Sequence, residues 1–171
     1  MEFLSDFSSR IPKNGRILDA GCGNGAYSLI LSQKLEVFGV DISEKQIELE
    51  KNALKARFIC QDMTKLTFPD EYFNGIVSYY AIIHIPREEQ FELLKNFYRL
   101  LKINGIVLLT FHSMDDPESY NENFFNSGIK IFWSGYDEVT NLKMVQEIGF
   151  KTIWSKSVLE SPNGEKFIIY L

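Results

Sequence analysis

Three closely spaced glycines and a later acid are the residues of this chain best suited to ligand chemistry. Gly21, Gly23 and Gly25 follow an apolar run, and Asp41 follows the next one. Glycine lets a backbone approach a ligand closely, and the free N–H groups at the start of a helix attract an anion. An acid at the end of the next strand can accept ribose hydroxyls. The pattern predicts a site for a nucleotide-like ligand.

The glycine spacing argues against a dinucleotide as that ligand. Dinucleotide sites use G-x-G-x-x-G, whereas this turn reads G-x-G-x-G. An acid two residues before the first glycine, Asp19, is also unusual there. A nicotinamide oxidoreductase is therefore the weaker alternative. It would give no obvious use to Asp19 or to a later acid, Asp62.

Strands and helices alternate through the first two thirds of the chain, which predicts a doubly wound parallel sheet. Inward positions of the first predicted helix are Leu29, Ile30 and Leu31. The predicted strands are Arg16–Ala20, Glu36–Val40, Arg57–Cys60, Phe73–Tyr79 and Gly105–Phe111. The predicted helices are Tyr27–Lys34, one from Ser43 to about Leu54, and one from Pro86 to the Asn104-Gly105 turn.

The pattern changes after residue 112. His112–Gly135 is long, polar and aromatic by turns, and it shows no clear element. A helix follows over Tyr136–Ile148, with Gly149 as its cap. Two further strands, Lys151–Leu159 and Lys166–Leu171, flank the turn Ser161-Pro162-Asn163-Gly164 and form a hairpin. The inward residues of the helix are Val139, Leu142 and Val145.

The fold class that follows is α/β, with a doubly wound, mostly parallel seven-stranded Rossmann-like sheet and a C-terminal antiparallel hairpin. Residues 1–171 form a single domain, as the length allows. A net charge of −5 makes nucleic acid a poor partner. Cys22 and Cys60 do not form a disulfide framework, and with two scattered histidines they give no metal spacing. No apolar run has the length of a membrane span and no signal segment opens the sequence, which favours a cytoplasmic protein.

Five segments in order resemble the class I S-adenosylmethionine-dependent methyltransferases. The first motif is Leu18-Asp19-Ala20-Gly21-Cys22-Gly23-Asn24-Gly25, and the second is Gly39-Val40-Asp41-Ile42-Ser43. Cys60-Gln61-Asp62-Met63 matches the third, and Phe73–Ser78 continuing to His84-Ile85-Pro86 matches the fourth. Leu100–Gly105 matches the segment before the fifth strand, although Ile103-Asn104 replaces the family's Pro-Gly. The resemblance covers nearly the whole chain.

The resemblance implies S-adenosyl-L-methionine as cofactor and assigns a role to each motif. The glycine turn holds the methionine portion, Asp19 orients the turn and reaches the amino group, and Asp41 takes both ribose hydroxyls. Asp62 accepts the adenine amino group. The expected cofactor-binding residues are Asp19, Gly21, Cys22, Gly23, Asn24, Gly25, Asp41, Ile42, Asp62, Met63, Ser78 and Tyr79, and no metal is expected.

Each assignment has a plainer alternative. The glycines fit a simple strand–helix turn, Asp41 fits the first turn of a helix, and Asp62 fits any loop after a strand. His84 is the candidate catalytic base, with His112 at the same sheet edge, but histidines there also serve packing alone. Either Tyr79 or Tyr80 faces the pocket.

The acceptor side is less defined. Phe124, Phe125, Phe132 and Trp133 form an aromatic cluster that either closes the acceptor pocket or packs on the sheet. Only Met1–Lys13 precede the first strand, where many relatives carry a longer cover, and the usual basic tail is missing. Either the protein is minimal or the sequence is shortened at both ends, and the missing tail favours the second.

The predicted function is methyl transfer from S-adenosylmethionine to an unidentified, small-molecule acceptor. The acidic charge and the absence of an appended binding domain favour a small acceptor. Alternatives are a non-catalytic cofactor-binding module of the same fold and a methyltransferase acting on a macromolecule. Oligomeric state, acceptor and methylated atom are left open.

Overall fold

A seven-stranded sheet organises the chain, and the computed structural model describes it over residues 2–48, 56–124, 128–159 and 166–170. The helices are α1 Glu2–Arg10, α2 Ala26–Ser32, α3 Glu44–Glu48, α4 Arg87–Leu100 and α5 Glu138–Ile148. The strands are β1 Arg16–Ala20, β2 Glu36–Asp41, β3 Ala56–Cys60, β4 Phe73–Ser78, β5 Leu101–His112, β6 Asp116–Phe124, β7 Ile129–Gly135, β8 Ser155–Leu159 and β9 Lys166–Tyr170.

The strand order in the main sheet is β3-β2-β1-β4-β5-β9-β8. Strands β1 to β5 are parallel, whereas β9 and β8 run antiparallel. The predicted strand number and terminal hairpin are confirmed, but the parallel part has five strands, not seven. Because the order reverses between β1 and β4, a crevice opens at the carboxyl ends of these strands, where ligands bind in such sheets.

Helices cover both faces of the sheet, as expected for a doubly wound fold. One core, around Leu94, Phe97 and Val145, lies under α4 and α5. The other, around Phe7 and Leu31, lies under α1 and α2. Helix α1 was not predicted from the sequence.

Three inward assignments within the helices are wrong. Leu29 and Ile30 are about two fifths exposed, and Leu31 alone of the predicted three is buried, together with the serines Ser28 and Ser32. In α5, Val145 is buried but Val139 is exposed. In both helices buried polar side chains (Ser28 and Asn141) occupy inward positions, which moves the apolar stripe away from the one expected.

The sequence predicts no clear element between residues 112 and 135, and this is wrong. Strands β6 and β7 pair antiparallel as a separate two-stranded sheet, here called the insertion hairpin. The strands escape sequence detection because β6 is polar and carries Pro117. The pairing also shifts register twice along the hairpin, which breaks any regular alternation.

Some boundaries also differ from prediction. Helix α4 ends at Leu100, four residues before Asn104, and β5 begins at Leu101. Asn104, predicted as part of the turn after this helix, adopts a left-handed conformation with φ of 62°. The predicted continuation of α3 to Leu54, the side chain of Phe125 and the turn 161–164 lie outside the described residues.

Candidate functional site

The glycine turn lies at the carboxyl end of β1, and its backbone requires glycine. Gly21, Gly23 and Gly25 have φ values of 77°, 54° and 69°. Residues with a Cβ are strained in this region of the backbone map. The N–H groups of Gly21 and Cys22 both donate to the carbonyl of Val40, at 2.8 and 3.0 Å. The turn is therefore held against the end of β2, beside the crevice.

Gly21 and Gly23 serve different purposes in this turn. A Cβ at Gly21 would overlap the side chain of Ala81, so Gly21 allows the loop after β4 to approach. A Cβ at Gly23 would meet no atom of the described residues within 4 Å. The open side of Gly23 leaves room for a bound molecule to contact the backbone directly, as a methionine-type ligand would require.

Asp41 connects the end of β2 to the glycine turn. Its Oδ2 accepts from the N–H of Gly23 at 2.8 Å, and its Oδ1 accepts from the N–H of Ser43 at 2.9 Å. A carboxylate oxygen has two lone pairs, so each oxygen retains capacity for one more donor. Asp41 is half-buried, and the next residue, Ile42, is 74% exposed. The pair offers a fixed acceptor next to an uncovered apolar side chain.

Asp19 lies beneath the turn and is 2% exposed. Its Oδ2 accepts from the hydroxyl of Ser28 at 2.6 Å. The pKa of Asp19 is raised to about 6, chiefly by burial and also by the charge of Asp41, while the hydrogen bond from Ser28 acts in the opposite direction. A buried carboxylate at this position is a charge that a ligand ammonium group would neutralise.

Asp62 begins the short 3-10 turn Met63–Lys65 after β3. Its Oδ1 accepts from the N–H and the hydroxyl of Thr64 at 2.9 and 2.7 Å. Partial burial raises the pKa of Asp62, but these bonds and the contact with Lys65 outweigh it, so the pKa lies below its usual value. Met63 is buried. The plainer role of Asp62, capping its own turn, is thus present, and its Oδ2 forms an ion pair with Nζ of Lys65 at 3.3 Å.

The residues at the end of β4 differ in burial, contacts and backbone conformation. Ser78 is fully buried, and its hydroxyl donates to the carbonyl of Ala20 at 2.9 Å, which holds β4 to β1. Tyr79 is half-buried and packs between Tyr27 and Tyr80, with ring centroids 4.9 and 4.5 Å away. Tyr80 adopts φ of 57°. This conformation is strained for an aromatic residue, and such strain clusters at functional sites.

His84 faces the insertion hairpin. Its Nδ1 lies 2.8 Å from the carbonyl oxygen of Phe132. A carbonyl only accepts, so Nδ1 carries the proton and Nε2 of the neutral ring keeps its lone pair. Burial lowers the pKa of His84, although the bond to Phe132 acts in the opposite direction. The ring is therefore kept neutral and able to accept a proton at Nε2.

Trp133 brings the two predicted histidines together. Its ring centroid lies 4.8 Å from that of His84 and 5.7 Å from that of His112. Phe132 instead packs on Tyr120, on the other side of the hairpin. Of the predicted aromatic cluster, Trp133 reaches the edge of the sheet, while the side chains of Phe124 and Phe125 lie outside the described residues.

Two buried amides anchor the insertion hairpin, and neither was predicted from the sequence. Gln90 donates from Nε2 to the carbonyls of Ile85 and Ser134, at 2.9 and 3.1 Å. Asn141 donates to the carbonyls of His112 and Tyr136, at 2.9 and 2.7 Å. A polar residue within the apolar stripe of α4 or α5 was the available signal for each.

The described part of the chain shows no group of three or more potential metal ligands. Cys22 is buried, Cys60 is exposed, and no disulfide joins them. None of the described helices has the length and apolar character needed to cross a membrane.

The sequence matches the methyltransferase-domain family over residues 17–105, just over half of the chain. The Bacillus subtilis (strain 168) protein YqeM, named as a methyltransferase, is 28% identical over 85% of this chain and 63% of its own length. The phosphoethanolamine N-methyltransferase of Plasmodium falciparum (isolate 3D7) is 26% identical over 72% of this chain and 48% of its own. The chain thus spans less than two thirds of the length of these relatives.

A solved structure with the same fold is the Burkholderia thailandensis 1,6-didemethyltoxoflavin-N1-methyltransferase, which holds S-adenosylhomocysteine. It superposes with a TM-score of 0.77 over 99% of this chain and 75% of its own, at 16% identity. The matched family segment contains the glycine turn, Asp41, Asp62 and His84. This chain therefore belongs to the methyltransferase-domain family, with its predicted site residues inside the matched region.

Proposed function

We propose that this protein transfers a methyl group from S-adenosylmethionine to a small-molecule acceptor. The observation that carries the proposal is the hydrogen bond from the N–H of Gly23 to Asp41, which joins a glycine turn and an acid at the crevice of a doubly wound sheet. Family membership and the S-adenosylhomocysteine held by the Burkholderia enzyme support the choice of cofactor.

The residues of the turn and the three acids would hold the cofactor along the edge of the sheet. Gly21–Gly25 would bind the methionine portion through the backbone, and Asp19 would face its ammonium group. Asp41 would accept the ribose hydroxyls, and the exposed Ile42 would cover the adenine. Asp62 and Met63 would bind the far edge of the adenine. When bound, the cofactor supplies a methyl group on a sulfonium, which already has a good leaving group.

The work left to the protein is alignment, exclusion of water and removal of a proton from the acceptor. His84 would carry out the last of these, because its Nδ1–H donates to the carbonyl of Phe132 and its Nε2 keeps a lone pair that can accept a proton. Trp133 would form the wall beside it and shield the acceptor from water. This arrangement favours an acceptor whose O–H or N–H must lose a proton as it is methylated.

Calorimetry tests the cofactor assignment. S-adenosylmethionine and S-adenosylhomocysteine should bind with micromolar Kd, whereas NAD(H) should give no heat. Tight binding of NAD(H) without any heat from S-adenosylhomocysteine would overturn the proposal in favour of an oxidoreductase.

Turnover requires a second measurement. Release of S-adenosylhomocysteine should be followed across a panel of small phenols, amines and N-heterocycles, with RNA and protein acceptors as comparison. Turnover of a small acceptor supports the proposal, and turnover of RNA or protein alone supports a macromolecular methyltransferase. Cofactor binding without any turnover across the whole panel would favour the non-catalytic binding module.

A further inference from the structure

Ser28 and Asp19 form a buried bond across the glycine turn. Asp19 precedes the turn on β1, and Ser28 follows it near the start of α2. The hydroxyl of Ser28 lies 2.6 Å from Oδ2 of Asp19, and the two residues are 0% and 2% exposed. The bond therefore joins the two elements whose ends define the turn.

We propose that Ser28 is a positioning residue for cofactor binding, which holds the Asp19 carboxylate ionised and in one orientation beneath the glycine turn. This inference rests on the proposed function, since it assigns Asp19 to the ammonium group of the cofactor. Ser28 itself acts only through Asp19.

The geometry supports an ionised Asp19. Hydrogen bonds from a hydroxyl to an ionised carboxylate are short, about 2.5–2.7 Å. The 2.6 Å separation between the Ser28 hydroxyl and Oδ2 of Asp19 fits such a bond. The Ser28 hydroxyl donates its one proton to Oδ2 of Asp19, so turning the carboxylate away from this position would break the bond. Oδ1 of Asp19 would then face the ammonium group of the cofactor.

The electrostatic surroundings explain why Asp19 needs this help. Burial favours its neutral form, and the facing charged group, Asp41 on β2, also opposes ionisation. Among the causes that act on the pKa of Asp19, the hydroxyl of Ser28 is the one that favours the carboxylate. Without Ser28, Asp19 would hold its proton to higher pH and would attract an ammonium group less.

The first test measures Asp19 without any cofactor. The ¹³C carboxyl signal of Asp19 is titrated in the wild type and in Ser28→Ala, with Asp19→Asn to assign it. The midpoint should lie near the pKa of about 6 in the wild type. In Ser28→Ala it should rise by about one pH unit, because a bond to a charged group is lost. An unchanged or lower midpoint would overturn the proposal.

The second test measures S-adenosylhomocysteine affinity between about pH 5 and pH 7.5. Ser28→Ala should weaken binding about tenfold at the lower end and by less than about threefold at the upper end, since the shift moves only the ionisation of Asp19. A uniform loss at every pH would indicate a merely structural role and would contradict the proposal. Ser28→Thr, which keeps the hydroxyl, should restore the wild-type profile.

Ser32→Ala is the matched control. Ser32 is also buried in α2, but its hydroxyl donates to the carbonyl of Leu29 at 2.8 Å. The substitution should change neither the Asp19 midpoint nor the pH profile. If the wild type binds no S-adenosylhomocysteine, the proposed function fails, while the carboxyl titration still decides whether Ser28 controls the ionisation of Asp19.

Discussion

The N–H of Gly23 donates to Oδ2 of Asp41 at 2.8 Å, so the acid that follows β2 is bonded directly to the turn that follows β1. The same carboxylate that would accept the ribose hydroxyls thus also fixes the middle of the glycine turn. Damage to either one is expected to affect the other.

Asp41→Ala should weaken S-adenosylhomocysteine binding on the order of tenfold to a hundredfold, because a charge-assisted contact worth about 1.5–3 kcal/mol is removed. The fold should persist, since Asp41 lies at the edge of the crevice. Calorimetry measures the Kd, and Glu92→Gln, in the exposed pair with Lys95, is the control. An unchanged Kd in a folded Asp41→Ala protein would contradict the assignment.

A comparison of Gly23→Ala with Gly21→Ala should distinguish an effect on cofactor binding from an effect on stability. Gly23→Ala should cost on the order of 1 kcal/mol of stability through left-handed strain. It should also abolish most cofactor binding, because its Cβ would occupy the open side of the turn. Gly21→Ala should cost about 2 kcal/mol more through overpacking, since its Cβ also overlaps Ala81. Urea unfolding and calorimetry on both variants check this, and equal stability losses would argue against the distinction.

Asp19→Asn should stabilise the unliganded protein at neutral pH. The folded pKa of about 6 lies above the ordinary 3.8. The folded state therefore binds more protons between these values, and its unfolding free energy falls as pH rises. Complete ionisation above about pH 6 costs up to about 3 kcal/mol, which asparagine avoids.

Urea unfolding at about pH 5 and pH 8 measures the effect of Asp19→Asn. The stability gain over the wild type should be larger at pH 8, while the affinity for S-adenosylhomocysteine should be lower. A gain that is the same at both pH values would show that the Asp19 carboxyl is not the group responsible.

His84→Asn should lower turnover by about 10²–10⁴-fold with little change in cofactor affinity. The asparagine amide can still donate to the carbonyl of Phe132, but it offers no base in place of Nε2. Because burial lowers the pKa of His84 below 6.5, wild-type kcat/KM should fall on the acid side only below that pH. A variant with normal turnover would assign His84 to packing alone.

Trp133→Ala should reduce activity toward the acceptor while cofactor binding is retained. Trp133 lies against both His84 and His112, so under the proposed function its loss would open the acceptor side to water. Tyr120→Ala is the matched control, because Tyr120 pairs with Phe132 on the opposite face of the insertion hairpin. Steady-state kinetics of both variants, with the acceptor that the panel identifies, compare their losses of activity. Equal losses would contradict the role given to Trp133.

The sheet was predictable because apolar strands and glycine turns are local signals. The run Ile106–Leu109 indicates a strand buried on both faces, and the structure places it between β4 and β9. The insertion hairpin was not predictable in the same way, since its polar strands depend on pairing with each other and on distant anchors. Likewise, Ser28 is buried and bonds to Asp19, whereas the apolar Leu29 and Ile30 are partly exposed, a pattern that hydrophobicity alone does not predict.

At the site, the sequence predicted residues at one edge of the sheet, but it did not predict the hydrogen bonds that hold them in place. Asp41 and the glycine turn lie where strand order puts them. Ser78 is predicted to meet the cofactor through its backbone carbonyl, and its hydroxyl bonds to the carbonyl of Ala20 instead of facing the crevice. Gln90 and Asn141 donate hydrogen bonds to backbone carbonyls of distant elements. Every residue carries such a carbonyl, so the sequence does not show which of them will accept these bonds.

The anchoring of the insertion hairpin by Gln90 and Asn141 has a consequence for how acceptor choice can change. The amide groups of both residues donate to backbone carbonyls near the two ends of the hairpin, and a carbonyl is the same whatever side chain its residue carries. We therefore expect that the described side chains between Asp116 and Trp133 can be exchanged without altering these attachment points. Under the proposed function, a new acceptor would then be accommodated by changing this one segment, while the residues proposed to bind the cofactor stay as they are.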